Sequence, residues 1–325
     1  MPLYRLKRGF SVYPIIVPTK YSVKSFNFYI VEDGDYLSLI DAGIDSDECW
    51  DQFINTLSEI GYTLKDLSQI ILTHTHEDHI GLVNRILSLR EIPIYAHSKS
   101  IPRLKLDKGF QALRIKFYKQ LYDEMGCGES GTRQIERLLK GIQDREKYTV
   151  HADIIPLSKT DRISGLQVIE TPGHAPDHLA FYQAEKKWLF GGDHLIGHIS
   201  SNAIIEPDLE GKRLLTLKEY IHSLETCQKL DVETVFAGHG RQIFNPKDLI
   251  TMRINKIHQK SDQIMGLIKR GVSTADQLAR TFYKDKYQSQ FDLVMSEIIG
   301  HVDYLEVLNK INKELKDGVW HYTQA

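Results

Sequence analysis

The sequence predicts an α/β sandwich followed by a small helical module, on three observations. Short apolar, strand-like runs alternate with segments of helical periodicity as far as Asn245. The 325 residues are 42% hydrophobic and 26% charged, ordinary globular usage that excludes a disordered or fibrous chain. After Asn245-Pro246 the strands give way to helical stretches, which sets a domain division between 1–245 and 246–325.

Each element has its own signal. Phe26 to Val31 and Tyr36 to Ile40 flank Glu32-Asp33-Gly34-Asp35, a turn-forming cluster, and predict a hairpin. From Asp45 to Gly61, Trp50, Phe53, Ile54, Leu57 and Ile60 recur at helical spacing, and Gly61 suits a left-handed cap. Ile70-Ile71-Leu72 is a short buried strand, Gly81 to Glu91 a helix, and Ile92 to Ala96 a strand again. About Lys99 to Val150 lies an insertion, where 12 Lys/Arg and 7 Asp/Glu surround Phe110, Leu113, Tyr118, Leu121 and Met125. It reads as an amphipathic helical pair packed on the core, with Gly126 to Gly131 as a flexible break. A substrate-covering lid is the alternative, because long insertions in compact domains tend to carry function.

Strands resume at Leu166 to Glu170, Leu179 to Gln183 and Lys187 to Phe190, followed by a helix over Leu214 to Leu230 and a strand at Thr234 to Ala237. Lys247 to Arg270 is helical, with Leu249, Met252, Ile257, Ile264, Leu267 and Ile268 inward. Thr274-x-x-Gln277 is a capping box that opens a helix to Tyr283. A third helical region spans Gln290 to Lys316, and Val319 to Tyr322 is a short strand.

Charge and cysteine usage narrow the function. Lys+Arg (41) nearly balance Asp+Glu (43), so no broad basic footprint for nucleic acid exists. Cys49, Cys127 and Cys227 are far apart and lack CxxC spacing, which fits a reducing compartment rather than a disulfide framework. No apolar run approaches the ~20 residues of a spanning helix. Met1 to Phe10 carries Arg5, Lys7 and Arg8, but Tyr13-Pro14-Ile15-Ile16-Val17-Pro18 follows without a cleavage site, so a signal peptide is not expected. The expectation is a soluble cytoplasmic protein with no membrane partner.

The chemistry concentrates in Thr73-His74-Thr75-His76-Glu77-Asp78-His79-Ile80-Gly81. In extended chain, residues i and i+2 face the same way, so His74 and His76 can converge on one ion. Asp78 and His79 open the next helix and can be aimed at a neighbouring ion. Three later residues complete the set: His174 in Thr171-Pro172-Gly173-His174, Asp193 in Phe190-Gly191-Gly192-Asp193, and His239 in Ala237-Gly238-His239-Gly240. Each follows a predicted strand on a glycine-bearing loop, where backbone can crowd a site. Seven ligands suffice for two ions.

This constellation resembles the metallo-β-lactamase-fold hydrolases, over roughly Val12 to Asn245, and Leu39-Ile40-Asp41-Ala42-Gly43 matches a further motif of that fold. The resemblance implies an αββα sandwich with a dinuclear site at one edge. His74, His76 and His174 would hold the first metal, Asp78, His79 and His239 the second, Asp193 would bridge, and Asp41 would support the ligands. None of the three cysteines lies in a motif, so β-lactam hydrolysis is not expected. His76 stands where flavin-coupled di-iron relatives place Glu, and no flavodoxin domain is present. The tail over about Pro246 to Trp320 resembles the winged-helix-like module of β-lactamase-like endoribonucleases. It carries His258-Gln259-Lys260-Ser261 in place of their basic start, and reads as a packing or dimerisation module.

The chemistry implied is attack by a metal-bridged hydroxide. The donor set suits two Zn²⁺, with Mn²⁺ or iron also accepted. Asp78 and Asp193 are the catalytic carboxylates, and His198, on the loop after Asp193, is assigned to substrate or leaving-group contact. His178 and His194 adjoin ligands and are read as orienting groups. The first expectation is hydrolysis of a small ester, thioester or lactone. The alternatives are an RNA or phosphodiester hydrolase on the same site, a sulfur dioxygenase with one iron on His74, His174 and Asp193, and a ligand-sensing module with dead chemistry.

Overall fold

The computed structural model describes residues 9–325, so Arg5, Lys7 and Arg8 lie outside the described residues. The first sheet contains Ser11–Pro18 (β1), Ser25–Asp33 (β2), Tyr36–Ile40 (β3), Gln69–Ile71 (β4), Ile94–His97 (β5) and Ile154–Leu157 (β6), in that spatial order. The second contains Arg162–Ile163 (β7), Leu166–Glu170 (β8), Leu179–Gln183 (β9), Trp188–Gly192 (β10), Thr234–Ala237 (β11) and Ile243–Phe244 (β12), also in sequential order. The helices of this part are Asp47–Glu59 (α1), Glu77–Ile80 (α2), Val83–Leu89 (α3), Ile101–Leu104 (α4), Lys108–Glu124 (α5), Gly128–Asp144 (α6) and Thr216–Lys229 (α7).

Alternation within single strands builds the layers. In β2, Phe28 and Ile30 join Phe53 and Leu57 of α1 and Ile86 of α3 in one apolar cluster. Tyr29 and Val31, one residue out of phase, pack instead with Phe181, Phe190 and Phe236 of the other sheet. That sheet's opposite face, through Ala180, Leu189 and Val235, packs on Leu217, Tyr220 and Leu224 of α7. Successive side chains of a strand point to opposite faces, so a strand buried on both sides reads as a continuous apolar run and yields an αββα stack. Full burial of a side chain such as Phe28 or Phe53 contributes about 1.5–3 kcal/mol.

The remaining helices are Lys247–Lys269 (α8), Ala275–Tyr283 (α9), Lys286–Ser289 (α10) and Phe291–Val307 (α11), followed by a hairpin of Ile311–Lys316 (β13) and Val319–Gln324 (β14). Two expectations change here. The third helix ends at Val307 rather than Lys316, because Asp317 (φ +48°) and Gly318 (φ +80°) form a tight left-handed turn that pairs β13 with β14. Met252, expected inward, is exposed on α8, whereas Ile250 is buried. The Thr274–Gln277 capping box is formed.

The insertion is a helical pair, α5 and α6, whose flanks, Leu104 and Val150, join the sandwich core, while its apolar face turns to the C-terminal helices. Tyr118, Leu121, Tyr122 and Met125 share a cluster with Ile264, Phe291, Met295 and Ile298 of the C-terminal helices. The break between the pair is short, since Gly128 to Gly131 already belong to α6. All three cysteines are free and buried. Among the described residues no helix is long and apolar enough to cross a membrane.

Candidate metal centre

The predicted ligands follow the carboxyl ends of strands, with Asp78 and His79 on the short helix α2 just beyond β4. β3 and β4 run parallel, as do β10 and β11, and β8 and β10 both run antiparallel to β9. Hydrogen bonds then join the two sheets where these ends meet. The N–H of Leu179 donates to Thr73 O (2.7 Å), that of Asn27 to Gly238 O (2.9 Å), and the Tyr29 hydroxyl to Ala237 O (2.6 Å).

The seven side chains meet at this edge. His74, His76 and His174 form one group, Asp78, His79 and His239 another, and His74, His79 and Asp193 a third between them, each with its ligand atoms within 4.8 Å of one another. His76 Nδ1 lies 3.0 Å from His74 Nε2 and 3.1 Å from His174 Nε2. Asp193 approaches His174 Nε2 (3.6 Å), His79 Nε2 (3.3 Å) and His239 Nε2 (3.2 Å), and so touches both outer groups.

Hydrogen bonds behind the cluster fix which nitrogen points inward. Asp41, itself at φ +58°, accepts from the Thr73 N–H and hydroxyl (both 2.8 Å) and faces His79 Nδ1 at 2.8 Å. With the Thr73 hydroxyl donating to Asp41, His74 Nδ1 must donate to Thr73 Oγ1 (3.1 Å). His174 Nδ1 donates to Asn202 O (2.9 Å) and His239 Nδ1 to Ser25 O (2.7 Å). Each Nε2 is thereby turned into the cluster, toward the other ligand atoms. His79 Nε2 and Asp193 Oδ1 are buried and have no hydrogen-bond partner among the described residues. Imidazole nitrogens and carboxylates crowded together, with two buried ligand atoms left unpartnered, are the arrangement a cation satisfies, so the residues fit a metal.

The electrostatics divide along the same line. Burial, reinforced by neighbouring histidines, holds His74 and His178 well below the usual imidazole value and His76 down to about 3. Burial works the same way on His79 and His239, but there Asp41 and Asp193 outweigh it and raise both. Burial alone would raise Asp193, yet His79 and His239 hold it well below the carboxylate range.

The other sequence-predicted residues fall outside the cluster. His178 Nε2 accepts the Asp193 N–H (3.1 Å) and its Nδ1 faces Thr171 Oγ1 (2.7 Å), so it braces Asp193 from behind. His194 is buried near the Tyr220 ring, with both nitrogens unpartnered among the described residues. His198 donates through Nε2 toward Ser22 O (3.1 Å), and its ring lies against Gly240.

Sequence reasoning missed the cavity beside His76 and His174. It measures about 170 Å³ and is lined by Arg103, Arg114 and Arg145, by Asp177 and Glu206, and by Tyr118 and Tyr122 of α5. Only the surplus of Lys and Arg in the insertion hinted at it. The insertion thus both packs on the C-terminal helices and walls the space in front of the metal ligands.

Gly238 has no room for a side chain: a Cβ there would stand 2.5 Å from Asp193 Oδ1 and 2.7 Å from His79 Cε1. Gly238→Ala is expected to lower metal affinity about tenfold or more, read by competition with a chromogenic chelator. Wild-type affinity in that variant would show that the two side chains can shift without cost.

Fold and site together define a metal-binding αββα protein whose ligands line one edge of the sandwich. The chain belongs to the metallo-beta-lactamase superfamily, whose family model matches residues 25–239. It is 31% identical to the probable metallo-hydrolase YqjP of Bacillus subtilis, over 91% of this chain and 92% of the relative. An atrochrysone carboxyl ACP thioesterase of Aspergillus fumigatus is 23% identical over 79% of this chain and 47% of its own length. A metallo-beta-lactamase family protein from Thermus thermophilus shares the fold at a TM-score of 0.75 and 22% identity, covering 97% of this chain and 98% of that one. The protein is an enzyme of the superfamily's metallo-hydrolase class.

Proposed function

We propose that the enzyme hydrolyses small esters, thioesters or lactones with two divalent ions held by the seven side chains. The observation that carries this reading is the pair of buried, unpartnered ligand atoms, His79 Nε2 and Asp193 Oδ1, at the centre of the cluster. His74, His76 and His174 would hold one ion, Asp78, His79 and His239 the other, with Asp193 between them. Bound there, such ions supply Lewis acidity at the acyl oxygen and acidify a water into the neutral range. Imidazole and carboxylate donors favour Zn²⁺, and Mn²⁺ or iron would also be accepted.

The chain's own residues do the rest. Asp41, Thr73 and the carbonyls of Ser25 and Asn202 hold the imidazoles in one tautomer, so no reorganisation is needed when a ligand arrives. The cavity holds the acyl group against His76 and His174 and excludes bulk water. The oxygen of water bonds to the acyl carbon, the carbon–sulfur or carbon–oxygen bond breaks, and the leaving group departs with the proton.

A cavity of about 170 Å³ suits a small molecule, whereas a nucleic-acid strand needs an open basic groove. The thioesterase relative supports the same substrate class. In this reading residues 1–245 form the catalytic unit and 246–325 a module packed on the insertion. The three reduced, buried cysteines fit a cytoplasmic enzyme.

The test is a panel of thioester, lactone, phosphodiester and RNA substrates on purified protein, with metal analysis. Thioester or lactone hydrolysis with nearly two Zn or Mn per chain, lost on chelation and restored by metal, is the expected result. Cleavage confined to RNA or phosphodiesters would replace the substrate class, and a single iron with oxidation of a sulfur substrate would replace the reaction.

A further inference from the structure

The cavity beside the cluster is lined by three guanidinium groups. Arg114 pairs with Glu206 through Nε (3.1 Å) and Nη2 (2.7 Å), and Arg103 reaches the same carboxylate at 3.2 Å. One buried carboxylate therefore serves two guanidinium groups. The Nε of Arg103 is buried with no partner among the described residues. Arg145, which caps α6, is the third guanidinium. Its Nη2 donates to Thr75 O (3.0 Å), between two metal ligands in sequence, and its Nε stands 3.3 Å from Glu77, whose side chain is half exposed.

Asp177 is the second buried carboxylate of the wall, and it accepts from the Ser100 hydroxyl at 2.8 Å. Asp292 lies at the exposed rim, where solvent screens it. Arg103, Arg114 and Arg145 thus share the cavity with two buried carboxylates, Glu206 and Asp177, and with the more exposed Asp292 and Glu77. Burial lowers the pKa of Arg145, Glu77 opposes it, and Arg114 and Arg103 add to the lowering. Tyr122 adds a donor: it is 5% exposed, lines the cavity, and its hydroxyl has no hydrogen-bond partner among the described residues.

Resting on the hydrolase reading above, we propose that this cavity seats a carboxylate carried by the substrate's acyl group, and that Arg145, with Tyr122, reads it. The preferred substrates are then monothioesters or monoesters of short dicarboxylic acids. The Arg103 Nε and the Tyr122 hydroxyl are donors without partners among the described residues, which one carboxylate satisfies, whereas a phosphate monoester brings nearly two negative charges against Glu206, Asp177 and Asp292. A planar guanidinium also offers the paired donors that a carboxylate accepts. A second cavity of about 150 Å³ shares Arg114 and Arg145 and adds Ile115, Leu138 and Ile142, room for the methylenes of a longer chain.

The test compares N-acetylcysteamine thioesters of butanoic, succinic and glutaric acids on the metal-loaded full chain. The carboxylate-bearing thioesters are expected to exceed butanoyl in kcat/KM by about tenfold or more, mainly through KM. Arg145→Gln and the milder Tyr122→Phe are each expected to pull that ratio down. Calorimetry with glutarate, glutaramide and inorganic phosphate, with and without metal, reads the same pocket independently of turnover. Glutarate binding that persists without metal and weakens in Arg145→Gln supports the proposal. A butanoyl preference, a ratio unmoved in both variants, or phosphate binding more tightly than glutarate overturns it. If no thioester is cleaved at all, the hydrolase reading fails, and the calorimetry still decides whether the cavity takes a carboxylate.

Discussion

Asp193→Ala is expected to lower the proposed ester or thioester hydrolysis by about a thousandfold, since in that mechanism its carboxylate would be shared by two ions and control several kcal/mol of transition-state stabilisation. The geometry isolates this residue. Its two oxygens reach His79, His174 and His239, and its main-chain N–H is pinned by His178. Without the carboxylate the two outer groups lose the acid that lies between them, so in the proposed dinuclear reading bound metal should fall from nearly two ions per chain toward one. Asp193→Asn keeps the shape but not the charge, and should fall between the two in both readings. The fold should survive either change, because Asp193 sits beyond the end of β10 and adds nothing to the apolar layers. Far-UV circular dichroism checks that point, and turnover and metal content check the rest. Full activity in the alanine variant would remove the dinuclear mechanism.

How far this site was legible in the sequence depends on what kind of atom does the work. His74, His76, Asp78 and His79 are closely spaced side chains with metal-binding chemistry, and His174, Asp193 and His239 each follow an apolar run on a glycine-bearing loop. Both signals are local. The strands Leu166–Glu170, Leu179–Gln183 and Thr234–Ala237 have the predicted bounds, because burial leaves an apolar centre in each run. The carbonyls of Ser25 and Asn202 have no such signature, since any residue supplies one. The C-terminal hairpin was hidden by helix-favouring residues such as Lys313, Glu314 and Leu315. Burial of Ile311 and Tyr322 and the Asp317-Gly318 turn overrode that preference. Periodicity likewise showed that α5 has an apolar face, but not that the face meets α11 rather than the sandwich. The cavity arginines all come from the insertion, but only folding brings Arg103 and Arg114 to Glu206 and Arg145 to Thr75 and Glu77.

That carboxylate carries the second large effect, this time on stability. Burial alone would raise the pKa of Glu206, but Arg103 and Arg114 outweigh burial and bring it down to about 2. A group depressed this far below its unfolded value of 4.5 contributes about 3 kcal/mol, fully present above pH 4.5 and lost as pH falls toward 2. Glu206→Gln removes the negative charge and leaves two guanidiniums buried side by side, with Arg145 nearby. Breaking a buried ion pair from one side costs about 3–5 kcal/mol, because the remaining charge is stranded. The urea midpoint of the variant is therefore expected to lie well below wild type at neutral pH, and the gap to close as the pH drops below 4.5. A gap that stays constant through that range would mean that Glu206 is not ionised in the folded protein. Adding Arg103→Met to Glu206→Gln should recover part of the loss, since one stranded cation goes with it. Restoration by that second change would separate the charge imbalance from any damage to the packing of α5.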